Sequence, residues 1–197
     1  MTETADLSRR HFLTVATAIT GGVGIVAAAV PFVSSFEPSA RAQALGAPVQ
    51  ADISKLELGS MMKLVWRGKP IYIVNRTKAM LATLSKDHDL LRDPNSDNSD
   101  QPSYAKNEYR SRRPEFLVMI GVCTHLGCAP LGRFQIGAAS GLGSDWPSGF
   151  YCPCHGSLYD ISGRVFKDVP APKNMAIPPY RFVNDTTIMV GSDAENS

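Results

Sequence analysis

The longest apolar segment of the chain lies close to its N-terminus. Residues 12–33, FLTVATAITGGVGIVAAAVPFV, contain no charged side chain. A helix of this length spans about 33 Å, which is close to the roughly 30 Å hydrocarbon core of a bilayer. The pattern predicts a transmembrane anchor over residues 12–33, preceded by a cytoplasmic N-terminus over residues 1–11.

The pattern changes twice after this segment. Residues 34–50 are rich in Ala, Ser, Pro and Gln without an apolar period, and they predict a flexible tether that permits a hinge. From residue 51 onward, Gly and Pro separate short apolar runs, which is typical of a small antiparallel β domain. The predicted fold is mostly β: an N-terminal transmembrane helix, a tether, and a β domain over residues 51–197.

Individual elements follow from the same pattern. Apolar runs on either side of Gly68 predict a hairpin over residues 60–74. A continuous apolar run predicts a buried strand over residues 116–122, and partly periodic leucines predict a helix over residues 77–91. The remaining predicted elements are two short strands near residues 176–183 and 186–190, and loops over residues 92–103 and 134–149.

The residues just before the apolar segment carry a second signal. Ser8-Arg9-Arg10-His11-Phe12-Leu13 resembles the twin-arginine export motif, which directs folded, cofactor-loaded proteins across a membrane. The two arginines could instead be ordinary positive flanks, and both interpretations place the N-terminus in the cytoplasm. A cleavage site could be read at residues 39–42, but the apolar run is long enough to span, which favours retention as an anchor.

Net charge and the positions of the cysteines limit the functions that this chain can have. The formal net charge is +2, and no basic run supports a nucleic-acid partner. All four cysteines lie between positions 123 and 154. His125 lies inside this segment, and His155 directly follows it. Such a cluster predicts a metal site, a disulfide pair, or both.

These residues form two boxes, Cys123-Thr124-His125-Leu126-Gly127-Cys128 and Cys152-Pro153-Cys154-His155-Gly156-Ser157. Thiolate and imidazole are ligands that suit iron–sulfur clusters and zinc. Together the boxes resemble those of the Rieske iron–sulfur subunit of the ubiquinol–cytochrome c reductase complex. The resemblance covers almost the whole chain, because it includes the export motif, the anchor, the tether and the later Val169-Pro170-Ala171-Pro172 segment.

The resemblance implies one 2Fe–2S cluster in a small cluster-binding subdomain, about residues 120–172, inserted in a larger β domain. Cys128 and Cys154 would form a disulfide. Ser157 and Tyr159 would tune the cluster, and Leu126 and His155 would contact the quinol. The implied ligands of the cluster are Cys123, His125, Cys152 and His155.

The same resemblance implies a function and a location. The subunit would take one electron from ubiquinol, and a proton through a histidine ligand, and would pass the electron to a c-type cytochrome subunit. The other implied partners are a cytochrome b subunit and membrane lipid. The implied complex is dimeric, and it performs proton-translocating quinol oxidation in a respiratory chain. The chain would be a single-pass protein of the bacterial inner membrane, with its Rieske domain in the periplasm.

Two alternatives remain open at this point. The small Rieske subunit of another periplasmic oxidase, such as arsenite oxidase, can share the export motif, but Ser157, Tyr159 and the retained anchor argue against it. A structural zinc site normally uses four ligands and leaves no spare cysteine. Here Cys128 and Cys154 are left over.

The chain departs from the family pattern in one place. Twenty-six residues separate His125 from Cys152, roughly ten more than in most relatives. The extra residues lie in FQIGAASGLGSDWPSG, residues 134–149. A loop of this composition can be accommodated at small entropic cost, because closure entropy rises only logarithmically with loop length. Both boxes are expected to remain intact.

Overall fold

The computed structural model describes residues 3–193. The chain divides into two units, residues 1–44 and residues 45–197. The first two residues of the predicted cytoplasmic segment and residues 194–197 of the predicted β domain lie outside the described residues.

The N-terminal unit consists mainly of one long helix, α1 (Glu3–Ser34). Its part Ser8–Ser34 has a mean hydropathy of 2.0 and is, within residues 3–193, the one helix long and apolar enough to cross a membrane. The large apolar side chains of this part are exposed. The Thr14 and Thr20 hydroxyls donate to backbone carbonyls four residues earlier. This arrangement suits lipid, where polar groups need internal partners.

The predicted tether is partly helical. Helix α2 (Ala40–Gly46) lies inside residues 34–50, and its first turn is closed by Ser39, whose hydroxyl oxygen accepts from the Ala42 N–H. The first strand already begins at Val49, two residues before the predicted start of the β domain. The irregular part of the tether is therefore shorter than the composition indicates.

The second unit is built from antiparallel strands, which confirms the prediction of a mostly β fold. Among the described residues, its strands are β1 (Val49–Asp52), β2 (Met61–Trp66), β3 (Lys69–Asn75), β4 (Phe116–Ile120), β5 (Leu131–Arg133), β6 (Gly149–Tyr151), β7 (Leu158–Asp160), β8 (Tyr180–Asn184) and β9 (Thr187–Val190). They form three three-stranded sheets with the orders β1-β9-β8, β2-β3-β4 and β5-β6-β7.

The predicted hairpin is present as β2 and β3, with Trp66 opposite Lys69. Arg67 and Gly68 between them have φ angles of 50° and 71°, which is the conformation that a tight two-residue hairpin turn needs. Residues 71–74 of β3 are almost completely buried, since β3 is the central strand of its sheet. This strand forms the middle of the hydrophobic core.

The predicted helix over residues 77–91 is wrong. The structure has only a short helix, α3 (Lys78–Leu81), and a separate 3-10 turn at His88–Leu90. Side chains take the carbonyls that a longer helix would use: the Thr83 hydroxyl donates to the Met80 carbonyl, and the buried Arg164 donates to the Leu84 carbonyl. Tertiary contacts override the leucine pattern here.

The sheet β5-β6-β7 lies in sequence between β4 and β8, and Tyr72 links it to the hairpin sheet. The Tyr72 hydroxyl donates to the Pro130 carbonyl at 3.0 Å, and the Tyr72 ring stacks near Phe150 with centroids 6.3 Å apart. A Cβ on Gly121 would clash with the same ring. Glycine is therefore required where the chain leaves β4 for the first box.

A buried ion pair fixes the turn that follows β7. Arg164 Nε and Asp160 Oδ2 are 2.6 Å apart, and both side chains are almost fully buried. The neighbouring Asp87 is also buried, and its Oδ2 has no hydrogen-bond partner among residues 3–193. Burial, with a smaller contribution from the charge of Asp160, raises the pKa of Asp87 to about 6.

This shift makes stability depend on pH. Because the pKa of Asp87 is higher in the folded state than its ordinary value of 3.8, stability that is present at low pH is lost as pH rises through about 6. We expect Asp87→Asn to raise the free energy of unfolding by roughly 1–3 kcal/mol at pH 8, and by less at pH 4.5. Thermal unfolding at the two pH values checks this, with Asp89→Asn at an exposed position as the control. An equal gain at both values would contradict it.

Candidate metal centre

The two boxes fold into loops with the same backbone pattern. In each, the first cysteine donates its N–H to the carbonyl five residues later, and the glycine four residues later donates back to that cysteine's carbonyl. These bonds are Cys123 N to Cys128 O (2.7 Å), Gly127 N to Cys123 O (3.0 Å), Cys152 N to Ser157 O (2.8 Å) and Gly156 N to Cys152 O (3.0 Å). Gly127 and Gly156 have φ angles of 84° and 78°, which only glycine adopts readily.

A disulfide joins the loops. Cys128 and Cys154 are bonded, with Cα atoms 6.7 Å apart, as the resemblance implied. The Cys152 sulfur lies within 4.8 Å of both disulfide sulfurs, but sulfurs already joined to each other are not available as thiolate ligands. The two free thiols are those of Cys123 and Cys152, and each is only 2% exposed.

The two histidines lie side by side. The ring centroids of His125 and His155 are 4.8 Å apart, in an edge-to-face arrangement. His125 is half-buried, and its Nδ1 has no hydrogen-bond partner among the described residues although that atom is buried. A buried ring nitrogen without a partner is costly. A metal ion would take up its lone pair, so the residues fit a metal centre.

The thiols fit a metal centre for a related reason. Burial raises the pKa of the Cys152 thiol, and the neighbouring Cys123 adds to the effect. A thiolate at this position therefore needs a compensating positive charge, which bound iron supplies. Two buried thiols and two adjacent imidazoles match the mixed Cys/His donor set that a Rieske cluster requires.

Tyr159 is placed to donate to Cys123. Its hydroxyl oxygen lies 3.2 Å from the Cys123 sulfur and accepts the Thr124 N–H at 3.1 Å. The Thr124 hydroxyl is 3.2 Å from the same oxygen but donates its own proton to the Lys173 carbonyl at 2.6 Å. The Tyr159 proton is therefore directed to the Cys123 sulfur or to Thr124 Oγ1. A thiolate is the stronger acceptor of the two.

Burial keeps Tyr159 protonated. Its side chain is fully buried, and burial raises its pKa far above the ordinary value, with the Cys123 contact adding to the shift. The phenol is consequently a neutral donor throughout the physiological pH range. That is the state in which a hydroxyl can stabilise an electron-rich sulfur.

Ser157 is oriented by the later proline-containing segment. Its side chain is fully buried, and its oxygen accepts the N–H of Ala171 at 3.1 Å. Because the Ser157 oxygen accepts this hydrogen bond with a lone pair, the proton of the Ser157 hydroxyl stays free to donate to another group. Leu126 and His155 differ from these residues in being exposed, and 71% of the Leu126 side chain is accessible.

Sequence reasoning missed the roles of Thr124, Ala171 and Lys173. Ala171 acts through a backbone N–H and Lys173 through a carbonyl, and such groups have no signature in residue types. Thr124 lies inside the first box, but its partners come from distant segments of the chain. Only the fold brings these groups together.

Removing the disulfide should loosen the centre. The bond closes a loop with a sequence separation of 26 residues, for which chain entropy indicates a contribution of roughly 3 kcal/mol. We expect the double variant Cys128→Ala/Cys154→Ala to release its cluster at a lower temperature than the wild type, followed as bleaching of the cluster absorbance. Free alkylation of both thiols in native, active wild-type protein would contradict the pairing.

The fold and the centre together define a Rieske [2Fe–2S] protein, and the comparisons agree. The family model of the Rieske [2Fe–2S] domain matches residues 105–181. The N-terminal family model, described as the ubiquinol–cytochrome c reductase Fe–S subunit TAT signal, matches residues 1–39. The cofactor of this chain is therefore a [2Fe–2S] cluster, and its N-terminus carries a twin-arginine signal.

Curated relatives identify the family. The ubiquinol–cytochrome c reductase iron–sulfur subunit of Allochromatium vinosum is 55% identical, with 94% of this chain and 89% of the relative covered. The subunit of the same name from Blastochloris viridis is 44% identical, with 96% of each chain covered. A solved chain of a hyperthermophilic respiratory Complex III is 25% identical with a TM-score of 0.48, with 89% of this chain and 98% of that chain covered. The chain belongs to the family of ubiquinol–cytochrome c reductase iron–sulfur subunits.

Proposed function

We propose that this chain takes one electron from ubiquinol and passes it to a c-type cytochrome subunit of the same complex. The observation that carries the proposal is the position of the two imidazoles. They lie next to each other on the two loops that also carry the buried free thiols, with His155 exposed and His125 half-buried. A redox centre with this arrangement can meet a substrate on its histidine side. Family membership favours ubiquinol as that substrate over the substrate of an arsenite oxidase.

The proposed ligands are Cys123, His125, Cys152 and His155, which would supply two thiolates and two imidazoles to the cluster. Neutral imidazoles in place of two thiolates make the cluster less negative and easier to reduce, with potentials of about −150 to +300 mV in such centres. The protein isolates the thiolate side by burying both cysteines. Electron exchange is therefore proposed to occur through the histidine side.

His155 and Leu126 are the proposed contacts with the quinol. The exposed imidazole of His155 can accept a hydrogen bond, and then a proton, from the quinol hydroxyl at its outer ring nitrogen. The exposed Leu126 side chain offers an apolar surface for the quinol ring. In this proposal the electron and the proton leave the quinol at the same face of the protein.

The proposed topology follows from the anchor and the disulfide. We assign residues 1–11 to the cytoplasm, residues 12–33 to the bacterial inner membrane and residues 34–50 to a hinge. Residues 51–197 would form the periplasmic domain, with a cluster-binding subdomain at about 120–172. A disulfide persists outside the reducing cytosol, which supports the periplasmic placement. The proposed partners are membrane lipid and the cytochrome b and c-type cytochrome subunits of a dimeric complex.

Purification from membranes in mild detergent tests the proposed function. We expect b- and c-type haem to co-purify with the chain, and the preparation to reduce cytochrome c when ubiquinol is added. A preparation that contains the cluster but lacks haem, or that does not react with ubiquinol, would refute the proposal while leaving the cofactor assignment intact.

The hydroxyls of Ser157 and Tyr159 should set the potential. A hydrogen bond to sulfur is stronger when the cluster is reduced, because reduction makes sulfur more electron-rich, so each donor raises the potential. A bond to a charged acceptor contributes about 1.5–3 kcal/mol in total, and a tenfold change in a one-electron equilibrium is about 59 mV. We expect Ser157→Ala and Tyr159→Phe each to lower the midpoint potential by about 50–100 mV while the cluster is retained. Unchanged midpoints in both variants would assign these residues a structural role only.

A further inference from the structure

The insertion between the boxes, residues 134–149, is an ordered segment with its own hydrogen bonds. The Gly137 N–H donates to the Trp146 carbonyl at 2.8 Å, and the Ser140 hydroxyl donates to the Gly137 carbonyl at 2.7 Å. The Ser148 hydroxyl closes the base of the segment by donating to the Phe134 carbonyl at 3.0 Å. These contacts give the insertion a defined shape.

Trp146 anchors the insertion to the rest of the domain. Its side chain is only 5% exposed, and its indole N–H donates to the Arg133 carbonyl at the end of β5. Its ring packs against Phe166, with centroids 6.1 Å apart and planes inclined at 34°. An aromatic pair of this kind contributes beyond its buried area, so the contact can hold a segment in place.

Phe166 is the first residue of segment 166–172, which contacts Ser157 of the second box. The Phe166 N–H donates to the Leu158 carbonyl at 3.2 Å, and the Lys167 N–H donates to the Leu90 carbonyl at 2.8 Å. Five residues after Phe166, the N–H of the fully buried Ala171 donates to the Ser157 hydroxyl oxygen. Residues 89–92 contact this segment through hydrogen bonds and an isolated β-bridge, and the Trp146 ring contacts Phe166.

We propose that Trp146 is a positioning residue: through Phe166 it fixes segment 166–172, and thereby the Ala171 N–H that orients the Ser157 hydroxyl toward the cluster. This inference rests on the proposed tuning role of Ser157. It gives the insertion a function in setting the redox equilibrium. Without the ring contact, segment 166–172 can shift, and the Ser157 proton is no longer aimed in one direction.

Redox titration of the cluster EPR signal in membranes that contain the whole complex tests the inference. We expect Trp146→Ala to lower the equilibrium constant for reduction by about three- to tenfold, which is about 30–60 mV. Trp146→Phe keeps a ring against Phe166 and should stay close to the wild type. Ile136→Ala, at an exposed position of the same insertion, is the matched control and should leave the midpoint unchanged.

The Ser157→Ala background separates orientation from general structural support. Trp146→Ala should cause no further shift there, because the hydroxyl that it orients is absent. An unchanged midpoint in Trp146→Ala, or a full additional shift in the Ser157→Ala background, would overturn the inference. If Ser157→Ala alone leaves the midpoint unchanged, Ser157 does not tune the cluster and the proposed function is wrong on this point. If Ser157→Ala shifts the midpoint but Trp146→Ala does not, only the role of Trp146 is refuted.

A second variant keeps the inference testable if Trp146→Ala does not fold. If Trp146→Ala does not accumulate with a cluster, Phe166→Leu removes the same ring contact from the other side and is judged by the same midpoint shift. Loss of the cluster from both variants would also overturn the inference, because Trp146 would then support the fold rather than orient Ser157.

Discussion

The substitutions Cys123→Ser and His155→Ala should each abolish the cluster and, with it, quinol-dependent electron transfer. Each removes one of four proposed ligands from a centre whose remaining donors cannot replace it, because the other two sulfurs are already joined in the Cys128–Cys154 disulfide. Loss of a residue that only supports a metal ligand typically lowers activity by about 10- to 100-fold. Loss of a ligand itself should cost more, so we expect activity to fall by at least about a hundredfold. Iron and acid-labile sulfide analysis, together with EPR after reduction, measures the outcome.

The matched control for the histidine is His88→Ala. His88 is exposed in a 3-10 turn and is not a proposed ligand, so this variant should keep two irons and two sulfides per chain, as expected for one [2Fe–2S] cluster. An intact Rieske EPR signal from His155→Ala would remove that residue from the ligand set. One zinc per chain in the native protein would overturn the cluster assignment itself.

Gly149→Ala should be the most damaging change outside the ligand set. Gly149 lies in β6 opposite Asp160 of β7, and a Cβ there would clash with the Tyr159 carbonyl and lie 2.8 Å from the Asp160 carbonyl carbon. Both atoms belong to the backbone and cannot move aside as a flexible side chain would. Since β7 carries Tyr159, the substitution must displace the strand that positions this donor.

We expect Gly149→Ala to lower the free energy of unfolding by about 3 kcal/mol or more and to deplete the cluster in membranes. Gly141→Ala is the control in the same insertion, because Gly141 has a φ of 77° but no atom within 4 Å of its added Cβ. It should cost only about 1–2 kcal/mol from its left-handed backbone. Cluster content and thermal stability of the two variants check the difference, and equal losses would show that the contact with β7 is unimportant.

The sequence was most informative where chemistry depends on residue type and short spacing. The hairpin around Gly68 and the apolar N-terminal helix could be predicted from the residue pattern, and the two boxes carried the family resemblance that implied the Cys128–Cys154 disulfide. The strands β5, β6 and β7 have only three residues each. Runs this short show no measurable alternation of apolar and polar residues, so the sheet that supports the boxes was missed.

Other errors have local physical causes. The strand predicted at residues 176–183 begins only at Tyr180, because Pro178 and Pro179 cannot donate the N–H groups that a paired strand needs. The helix predicted over residues 77–91 failed because Arg164, a residue far along the chain, takes one of its carbonyls. In both cases the outcome depends on groups that an apolar pattern does not register.

The way Thr124 holds the Tyr159 hydroxyl has a kinetic consequence. The Tyr159 oxygen accepts the Thr124 N–H, and the Thr124 hydroxyl is itself tied to the Lys173 carbonyl, so the phenol cannot rotate freely. A dipole that is already aimed at the Cys123 sulfur needs little rearrangement when the charge on that sulfur changes. We therefore expect this hydroxyl to add little to the reorganisation energy when an electron enters or leaves the cluster.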